Sequence, residues 1–302
     1  MKVYKSKKKQ QEIVRTYDRL LEQWGVEIEE LEIDTRYGMT HVVACGKKQN
    51  PPLLLFHGVG DDTALMWIYN AQYLSQYYRI YAVDTIGGPG KSVPGEGYNK
   101  EFDDVCWIDQ ILDALAIKET FLAGVSHGGY LVQLYSLCRP ERVRRGISIS
   151  SALSVGKKGG HIATIMKIFL PEAIFPTKRN VKKLIEKMCG ENSAVFTENK
   201  DIMEHYTYLL KGFNNMAMGY HKVRTFSEEE VDKLRDKVEF LVGREDPFEK
   251  LGGAATLQDY RMKVTFYDNA GHGLNHERAD EINAKIVEIL SASASLYNVN
   301  VK

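Results

Sequence analysis

A serine stands between two glycines in the pentapeptide Gly124-Val125-Ser126-His127-Gly128. The pattern G-x-S-x-G is typical of a nucleophilic serine on a sharp strand-to-helix turn, where the backbone is strained and larger residues two positions away would collide. The apolar run 121–123 precedes the pentapeptide, and the helix-like run 130–135 follows it. This context favours a nucleophile over a glycine-rich loop that carries a serine by chance.

A serine hydroxyl needs a base to remove its proton, and the base needs an acid to orient it. Where the serine lies on such a turn, the partners follow in the order acid, then histidine. Asp246 comes shortly after the apolar run 238–242, and His272 follows the run 264–267. Ligand and catalytic groups gather at the carboxyl ends of parallel strands. We therefore predict that Asp246 orients His272 and that His272 is the base for Ser126.

Other acids and histidines could compete for these roles. Glu245 is next to Asp246 but is expected to point the opposite way, and Asp268 is too close to His272 in sequence to reach around it. We expect His276 to be a helix cap or a surface residue. The remaining candidates are expected to be packing or solvated histidines: His41, His161, His205 and His221.

Acyl transfer also needs backbone N–H groups that stabilise the negative charge developing on the carbonyl oxygen. The segment Phe56-His57-Gly58-Val59-Gly60 follows an apolar run, as an oxyanion loop would. We predict that the N–H groups of Val59 and His127 form the oxyanion hole, His127 being the residue after the nucleophile. His57 is expected to brace this loop through hydrogen bonds rather than to act as a base.

Short apolar runs alternate with helical stretches along the part of the chain that must position these residues. Uninterrupted runs of this kind are typical of strands covered on both faces of a parallel sheet. The runs are 53–56, 80–83, 121–123, 146–149, 240–242 and 264–267. The helical stretches are about 64–76, 102–116, 127–139, 248–260 and 276–291. The alternation predicts an α/β fold with a mostly parallel, doubly wound sheet.

Two segments depart from this alternation. Near the N-terminus, helical spacing over 10–24 ends at Gly25, and two strand-like runs joined by a turn at 37–39 predict an antiparallel pair. Segment 155–225 has no buried-strand pattern, only helical stretches at about 162–170, 178–189 and 199–212. The predicted organisation is a helical extension (1–25), a core (26–154 and 226–302) and an inserted helical lid (155–225). Helical packing without a gating role is the alternative for the inserted segment.

Composition narrows the classes of partner and location. The chain has 302 residues with 40 basic and 40 acidic side chains, so its zero net charge gives no sign of a nucleic-acid partner. It lacks a signal-peptide core and any run of about 18 apolar residues, so we expect no membrane span and a cytoplasmic location. Its four cysteines contain no Cys-x-x-Cys pair, which favours isolated buried thiols over a disulfide or a metal site. We expect no cofactor, and nothing predicts the oligomeric state.

A nucleotide site is the competing interpretation of Gly88-Pro89-Gly90-Lys91-Ser92, which resembles the end of a phosphate-binding P-loop. The full pattern requires a glycine where this chain has Thr85, and a helix that begins at the lysine. Residues 93–97 (Val-Pro-Gly-Glu-Gly) break helices instead. The sequence thus argues against nucleotide binding.

Over nearly its whole length the chain resembles α/β-hydrolases, and most of all their bacterial carboxylesterase-like branch. In that branch the segment after the fourth strand is similar to residues 84–92. The resemblance supports Ser126, Asp246 and His272 as catalytic residues and implies that the 155–225 lid forms the acyl or alcohol pocket. His127 departs from the family, which often has Leu, Met or Gln at this position.

The predicted function is a serine hydrolase that cleaves small to medium carboxylic esters by two-step acyl transfer. The alternative is an α/β-hydrolase-fold receptor for small molecules, or a regulatory protein, with slow or no turnover. The predicted partner is a small-molecule ester substrate. Thioesters, lactones, peptides and carbon–carbon bonds remain open as substrates, because Ser126 excludes only the mechanisms that need an aspartate nucleophile.

Overall fold

The fold is described from a computed structural model. It describes residues 2–156, 168–170, 172, 174–248 and 253–299, with the backbone alone for 293–299. His161 and most of the predicted helix 162–170 lie outside these residues, as does the start of the predicted helix 248–260.

A nine-stranded sheet runs through the described part of the chain. Five neighbouring pairs in the centre are parallel, while β1–β2, β2–β4 and β2–β5 are antiparallel. The order is β1-β2-β4-β3-β6-β7-β8-β9, and β5 pairs with β2. The strands are β1 Ile28–Thr35, β2 Gly38–Cys45, β3 Pro52–Phe56, β4 Arg79–Val83, β5 Val93–Pro94, β6 Thr120–Val125, β7 Val143–Ile149, β8 Val238–Gly243 and β9 Lys263–Tyr267. The predicted mostly parallel sheet with an antiparallel N-terminal pair is confirmed.

Both faces of the central strands are buried, which is the physical reason for their uninterrupted apolar runs. In β3, Leu53 and Leu55 pack into one hydrophobic cluster while Leu54 and Phe56 pack into another on the opposite face. The helices cover the two faces and supply the other side of each cluster. A strand with one wet face would instead show alternating polar residues.

Twelve α-helices connect the strands of the described chain. They are α1 Lys7–Leu21, α2 Thr63–Met66, α3 Ala71–Leu74, α4 Asp104–Ala114, α5 His127–Cys138, α6 Lys178–Met188, α7 Ala194–Thr197, α8 Lys200–Gly212, α9 Glu228–Leu234, α10 Gly253–Asp259, α11 Leu274–Glu277 and α12 Ala279–Val299. Short 3₁₀ turns cover Glu22–Trp24 and Asn215–Met218. None of these helices combines the length and the apolar character needed to cross a membrane.

The predicted helix 64–76 is two short helices, α2 and α3, rather than one. The break is stabilised from a distant part of the chain, because Asn275 Nδ2 donates to the carbonyl oxygen of Met66 at 2.7 Å. Asn70, in the break, donates from its own amide to the backbone oxygen of Asn275 (3.0 Å) and to Asn283 Oδ1 (2.8 Å). Long-range hydrogen bonds therefore replace the helical bonds that the break removes.

The N-terminal helix α1 is tied to the segment between β7 and β8. His205 on α8 lies fully buried, with Nδ1 2.7 Å from Thr16 Oγ1 on α1. The other nitrogen of His205 lies 2.7 Å from Asp62 Oδ2, in the loop after β3. Arg15 and Arg19 of α1 both pair with Glu204 of α8. His205 is a buried packing residue, one of the two roles expected for it.

Candidate active site

Ser126 occupies a strained backbone position between β6 and α5. Its φ of +56° and ψ of −116° lie in a region that residues with a side chain rarely adopt. The conformation is held from both sides, because the Ser126 N–H donates to the carbonyl oxygen of Ile149 (2.9 Å) and its own carbonyl accepts from the Tyr130 N–H (3.1 Å). The turn exposes the serine at the carboxyl edge of the sheet, where a nucleophile would be needed.

The glycines of the pentapeptide are required by close backbone contacts. A Cβ atom at Gly124 would collide with the backbone of Gly128, and one at Gly128 would collide with the carbonyl oxygen of Phe56. Gly58, in the loop after β3, also lies against the serine, since a Cβ there would stand 3.3 Å from the Cβ of Ser126. The crowding predicted from the G-x-S-x-G pattern is confirmed.

Asp246 and His272 are joined by a direct hydrogen bond. Asp246 follows β8 and is buried, His272 follows β9, and 2.7 Å separate Asp246 Oδ2 from His272 Nδ1. The second carboxylate oxygen of Asp246 accepts from the Phe248 N–H at 2.8 Å. Nδ1 of His272 therefore carries a proton and donates it to the carboxylate, which leaves the lone pair on Nε2. A histidine in this tautomer can act as a base through Nε2.

The competing acids do not contact His272. Glu245 is exposed to solvent, whereas the neighbouring Asp246 is buried. Asp268 is also exposed and pairs with Arg244 at 2.9 Å. Of the three acids considered, the structure brings only Asp246 to the histidine.

The loop that carries His272 is held by a carboxylate that the sequence analysis did not single out. Glu277, on α11, is buried and accepts from the N–H of Gly271 (3.0 Å) and from the N–H of Gly190 (2.7 Å). Burial raises the pKa of Glu277 above its ordinary value, although these two hydrogen bonds act in the opposite direction. The His272 N–H in turn donates to Met188 O at 2.6 Å. The histidine loop and the end of α6 are thus bonded together.

His57 braces the loop after β3, as expected. Its Nε2 accepts from the Thr85 N–H (2.9 Å), so the proton lies on Nδ1, which donates to Gly58 O (2.8 Å). Burial lowers the pKa of His57 and keeps the ring neutral. The same loop carries Val59, whose side chain is 53% exposed. The loop lies beside Ser126 through Gly58, where a donor to an oxyanion would be needed.

His127, the first residue of α5, packs its ring among other aromatic rings. Its ring stacks on Tyr130, with centroids 5.8 Å apart, and meets the edge of His221 at 5.3 Å. Burial and, next, the charge of His221 lower the pKa of His127 to about 3. His221 is buried, and its Nδ1 lies 2.6 Å from Asp104 Oδ1. It is a packing histidine, one of the two roles expected for it.

The expectation for His276 was wrong. It was expected to be a cap or a surface residue, but it is buried under α2, and its Nε2 lies 2.9 Å from Leu65 O. Burial lowers the pKa of His276 to about 4, so the ring is neutral and donates to that carbonyl. The position begins the last helical region, but that region folds inward beneath the short α2 helix.

Asp84 holds the loop that resembles a P-loop end. It is fully buried and accepts from Tyr17 Oη (3.0 Å), from the Lys91 N–H (2.7 Å) and from His41 Nδ1 (2.9 Å). Burial alone would raise the pKa of Asp84, but the hydrogen bond and charge of His41 outweigh it and hold the pKa below its ordinary value. The Lys91 ammonium pairs with Asp18 at 2.6 Å. The loop is therefore bonded to acids rather than open to phosphate.

His41 lies between two carboxylates. Its Nε2 is 2.8 Å from Glu30 Oε2, and its Nδ1 faces Asp84. Burial lowers the pKa of His41, but the hydrogen bonds and charges of Asp84 and Glu30 prevail and raise the pKa above its ordinary value. His41 is buried and bonded to acids, so it is neither solvated nor free to serve as a base.

Comparison with known proteins gives consistent matches. Residues 51–187 match the family described as alpha/beta hydrolase fold. The chain is 38% identical to carboxylesterase YbfK of Bacillus subtilis over an alignment of 138 residues, and this alignment covers 46% of each protein. It is 28% identical over 291 residues to an uncharacterized carboxylesterase, nap, of the same species, over 93% of each. The chain thus aligns in sequence with about half the length of the first relative and with nearly all of the second.

Solved structures share the whole fold. The crystal structure of naproxen esterase (carboxylesterase NP) from Bacillus subtilis superposes with a TM-score of 0.76 at 26% identity, over 91% of this chain and 95% of that one. The crystal structure of carboxylesterase CesB (YbfK) gives a TM-score of 0.74 over 94% of this chain and 98% of the other. The architecture therefore extends well beyond the matched residues 51–187.

Proposed function

This chain belongs to the α/β-hydrolase superfamily, and on that premise we propose that it is a serine hydrolase of small to medium carboxylic esters. The observation that carries the proposal is the 2.7 Å hydrogen bond between buried Asp246, which follows β8, and His272, which follows the neighbouring strand β9. Ser126, on its strained turn, follows β6 at the same carboxyl edge of the sheet. The names of two relatives, both carboxylesterases, support the same class of substrate.

The first half of the proposed reaction forms an acyl-enzyme. His272 Nε2 takes the proton of the Ser126 hydroxyl as Oγ attacks the ester carbonyl carbon. The carbonyl oxygen becomes an oxyanion that accepts hydrogen bonds from the N–H groups of Val59 and His127, each worth about 10²–10³ in rate by analogy with other hydrolases. Asp246 stabilises the charged imidazolium. His272 then gives its proton to the alcohol oxygen, the ester bond breaks and the alcohol leaves.

The second half releases the acid. His272 removes a proton from a water molecule, whose oxygen attacks the acyl carbon on Ser126. The same N–H donors stabilise the second oxyanion. When the intermediate collapses, the bond to Ser126 Oγ breaks and His272 returns the proton to that oxygen. The enzyme is restored, and the carboxylic acid departs.

Apolar side chains around the histidine favour uncharged acyl or alcohol groups. The ring centroids of Phe248 and His272 lie 4.6 Å apart, and those of Phe169 and Phe248 lie 6.3 Å apart. Val59 and Met216 are large apolar side chains exposed to solvent, on the loop after β3 and on the 3₁₀ turn before β8. We assign segment 155–225 as the lid that forms the acyl or alcohol pocket, with 1–25 as a helical extension and 26–154 and 226–302 as the core.

Cellular location stays a prediction. Cys45, Cys106, Cys138 and Cys189 are all free thiols, which agrees with the expected reducing cytoplasm. The expectation of buried thiols holds for Cys45 and Cys189, whereas Cys106 and Cys138 are partly exposed. The proposed partner is a small ester that reaches Ser126 from solvent.

The test compares the wild-type protein with Ser126→Ala and with a matched serine variant. Ser150 is a suitable control because it directly follows the neighbouring strand β7, has a positive φ of 47° and has a buried hydroxyl. The substrates are p-nitrophenyl esters of graded acyl length, together with a lactone and a thioester. We expect Ser126→Ala to lose at least about 10⁴-fold in kcat, as nucleophile removal does in other serine hydrolases. We expect Ser150→Ala to retain wild-type activity.

Two outcomes would contradict the proposal. Full esterase activity in Ser126→Ala would exclude this serine as the nucleophile. A single turnover of ester per chain would favour the slow receptor over the enzyme, provided that a fluorophosphonate probe labels Ser126 in a separate sample. Steady turnover of many substrate molecules per chain, lost in Ser126→Ala, is the expected result.

A further inference from the structure

Three side chains beside the nucleophile turn carry atoms that bind metals. Asp104 is the first residue of α4, His127 the first of α5, and His221 follows the 3₁₀ turn Asn215–Met218. One potential ligand atom from each residue lies within 4.8 Å of the other two. Two imidazoles and a carboxylate form a donor set that zinc accepts, and a three-ligand site leaves room for one water.

His127 supplies the observation that points to a ligand. Its Nε2 atom is buried and has no hydrogen-bond partner among the residues that the structure describes. A buried nitrogen without a partner costs free energy unless something binds it. One ring nitrogen of His127 lies within 4.8 Å of the ligand atoms of Asp104 and His221, and the His127 ring meets His221 edge-on, so His127 belongs to the same cluster as the Asp104–His221 pair.

His221 is already oriented as a metal-binding histidine would be. Its Nε2 lies 2.7 Å from the backbone oxygen of Ile86, an acceptor only, so Nε2 carries a proton and donates it. Metal-bound histidines usually donate their second ring N–H to a backbone carbonyl or a carboxylate in this way. The nitrogen left for a metal is Nδ1, which faces Asp104 Oδ1 at 2.6 Å.

Aromatic rings enclose the cluster. The ring centroids of Phe102, Tyr98 and Trp107 lie 4.8, 5.8 and 6.2 Å from that of His221. Tyr130 covers the face of His127 and stacks in turn on Phe226 at 5.9 Å. A shell of this kind keeps bulk water away and strengthens the attraction between a cation and the Asp104 carboxylate.

We propose that Asp104, His127 and His221 bind a divalent transition-metal ion of the zinc type. Zinc bonds of about 2.0–2.1 Å in tetrahedral geometry hold ligand atoms about 3.4 Å apart. The Asp104–His221 pair must therefore open slightly, and His127 must turn inward. The ion displaces the proton between Asp104 and His221, and that proton leaves to solvent. The bound ion links α4, α5 and the segment at 221 next to Ser126.

The experiment uses the full-length protein freed of metal by dialysis against a chelator. Zn²⁺ binding is measured by calorimetry and by metal content after gel filtration, and Co²⁺ serves as a visible-absorbing probe of coordination. The ligand variants are His127→Leu and His221→Gln. His205→Gln, in a buried histidine–acid pair elsewhere, and His272→Ala, in the candidate active site, are the controls. Circular dichroism and Tm establish that each variant is folded.

We expect one ion per chain in the wild type and in both controls, and at least about 100-fold weaker binding in both ligand variants. Zinc should also raise the Tm of the wild type but not of His127→Leu. No binding at 1:1 stoichiometry by the wild type would overturn the proposal. Undiminished zinc binding by His127→Leu would also overturn the proposal. This variant alone therefore gives a decisive result if His221→Gln does not fold. Binding that is lost only in His272→Ala would place the ion on the catalytic histidine instead. None of these readouts depends on esterase activity.

Discussion

Replacing Asp246 by asparagine changes which nitrogen of His272 carries its proton. Asp246 Oδ1 accepts from the Phe248 N–H at 2.8 Å, and Oδ2 accepts from His272 Nδ1 at 2.7 Å. Asparagine keeps only one acceptor oxygen. The Phe248 N–H can only donate, so the asparagine oxygen turns to Phe248 and its NH₂ group turns to His272. Nδ1 must then accept, the proton moves to Nε2, and the ring has no lone pair for Ser126.

The expected loss in kcat is about 10⁴-fold, the size found when the same substitution gives the wrong tautomer in a Ser-His-Asp enzyme. This corresponds to about 5.5 kcal/mol of transition-state stabilisation, at about 1.36 kcal/mol for each factor of ten. The loss of stability should be much smaller, about 1.5–3 kcal/mol, because one hydrogen bond to a charged group is replaced by a neutral one of similar shape. Activity and folding should therefore separate clearly.

The assay is steady-state hydrolysis of the best p-nitrophenyl ester, with Tm measured on the same samples. Glu245→Gln is the matched control, because it neutralises the neighbouring carboxylate, which is exposed and does not contact His272. We expect the control to retain kcat within about twofold, as surface substitutions usually do. If Asp246→Asn, folded, kept kcat within tenfold of the wild type, the assigned role of Asp246 would be refuted.

Two further predictions concern Glu277 and His41. Glu277→Gln should lower kcat by up to about 100-fold with little change in KM. The reason is that glutamine keeps one acceptor oxygen and so loses one of the two hydrogen bonds that position the His272 loop. An unchanged kcat in steady-state kinetics would contradict this. His41→Gln should destabilise the fold most below about pH 6.5 and progressively less at higher pH. The raised pKa of His41 means that its charged form stabilises the fold while protonated, and that this contribution is lost as pH rises through the folded-state pKa. Urea unfolding at about pH 6 and about pH 9 measures the difference, and an equal loss at both values would contradict the reasoning.

Local patterns predicted the sheet and the positions of the candidate residues well. The buried runs around Leu54 and Phe240 lie in central parallel strands, because a strand covered on both faces has to be apolar throughout. The proximity of Asp246 and His272 could be predicted from the sequence, because each follows a strand and neighbouring parallel strands end at the same edge of the sheet. Their hydrogen bond confirms the expected proximity, while their catalytic roles stay with the proposed function.

Contacts between distant parts of the chain could not be predicted in this way. Nothing near Glu277 shows that Gly190 will come within hydrogen-bond distance, 87 positions away. The break between α2 and α3 depends on Asn275, whose partner Met66 is 209 positions away. His276 was misplaced for the same reason, because its burial depends on how the last helical region meets α2. Local periodicity carries no information about such pairings.

Four histidines in the described chain each share a hydrogen bond of 2.6 to 2.9 Å with a buried aspartate, and only one pair lies in the candidate active site. Protons in such bonds exchange slowly with water and give proton NMR signals far downfield, so the spectrum should contain several such resonances. A downfield signal, or a fall in activity on acidification, therefore does not by itself report on the catalytic base. The signal that changes selectively in Asp246→Asn would belong to His272. The pairs are His41–Asp84, His205–Asp62, His221–Asp104 and His272–Asp246.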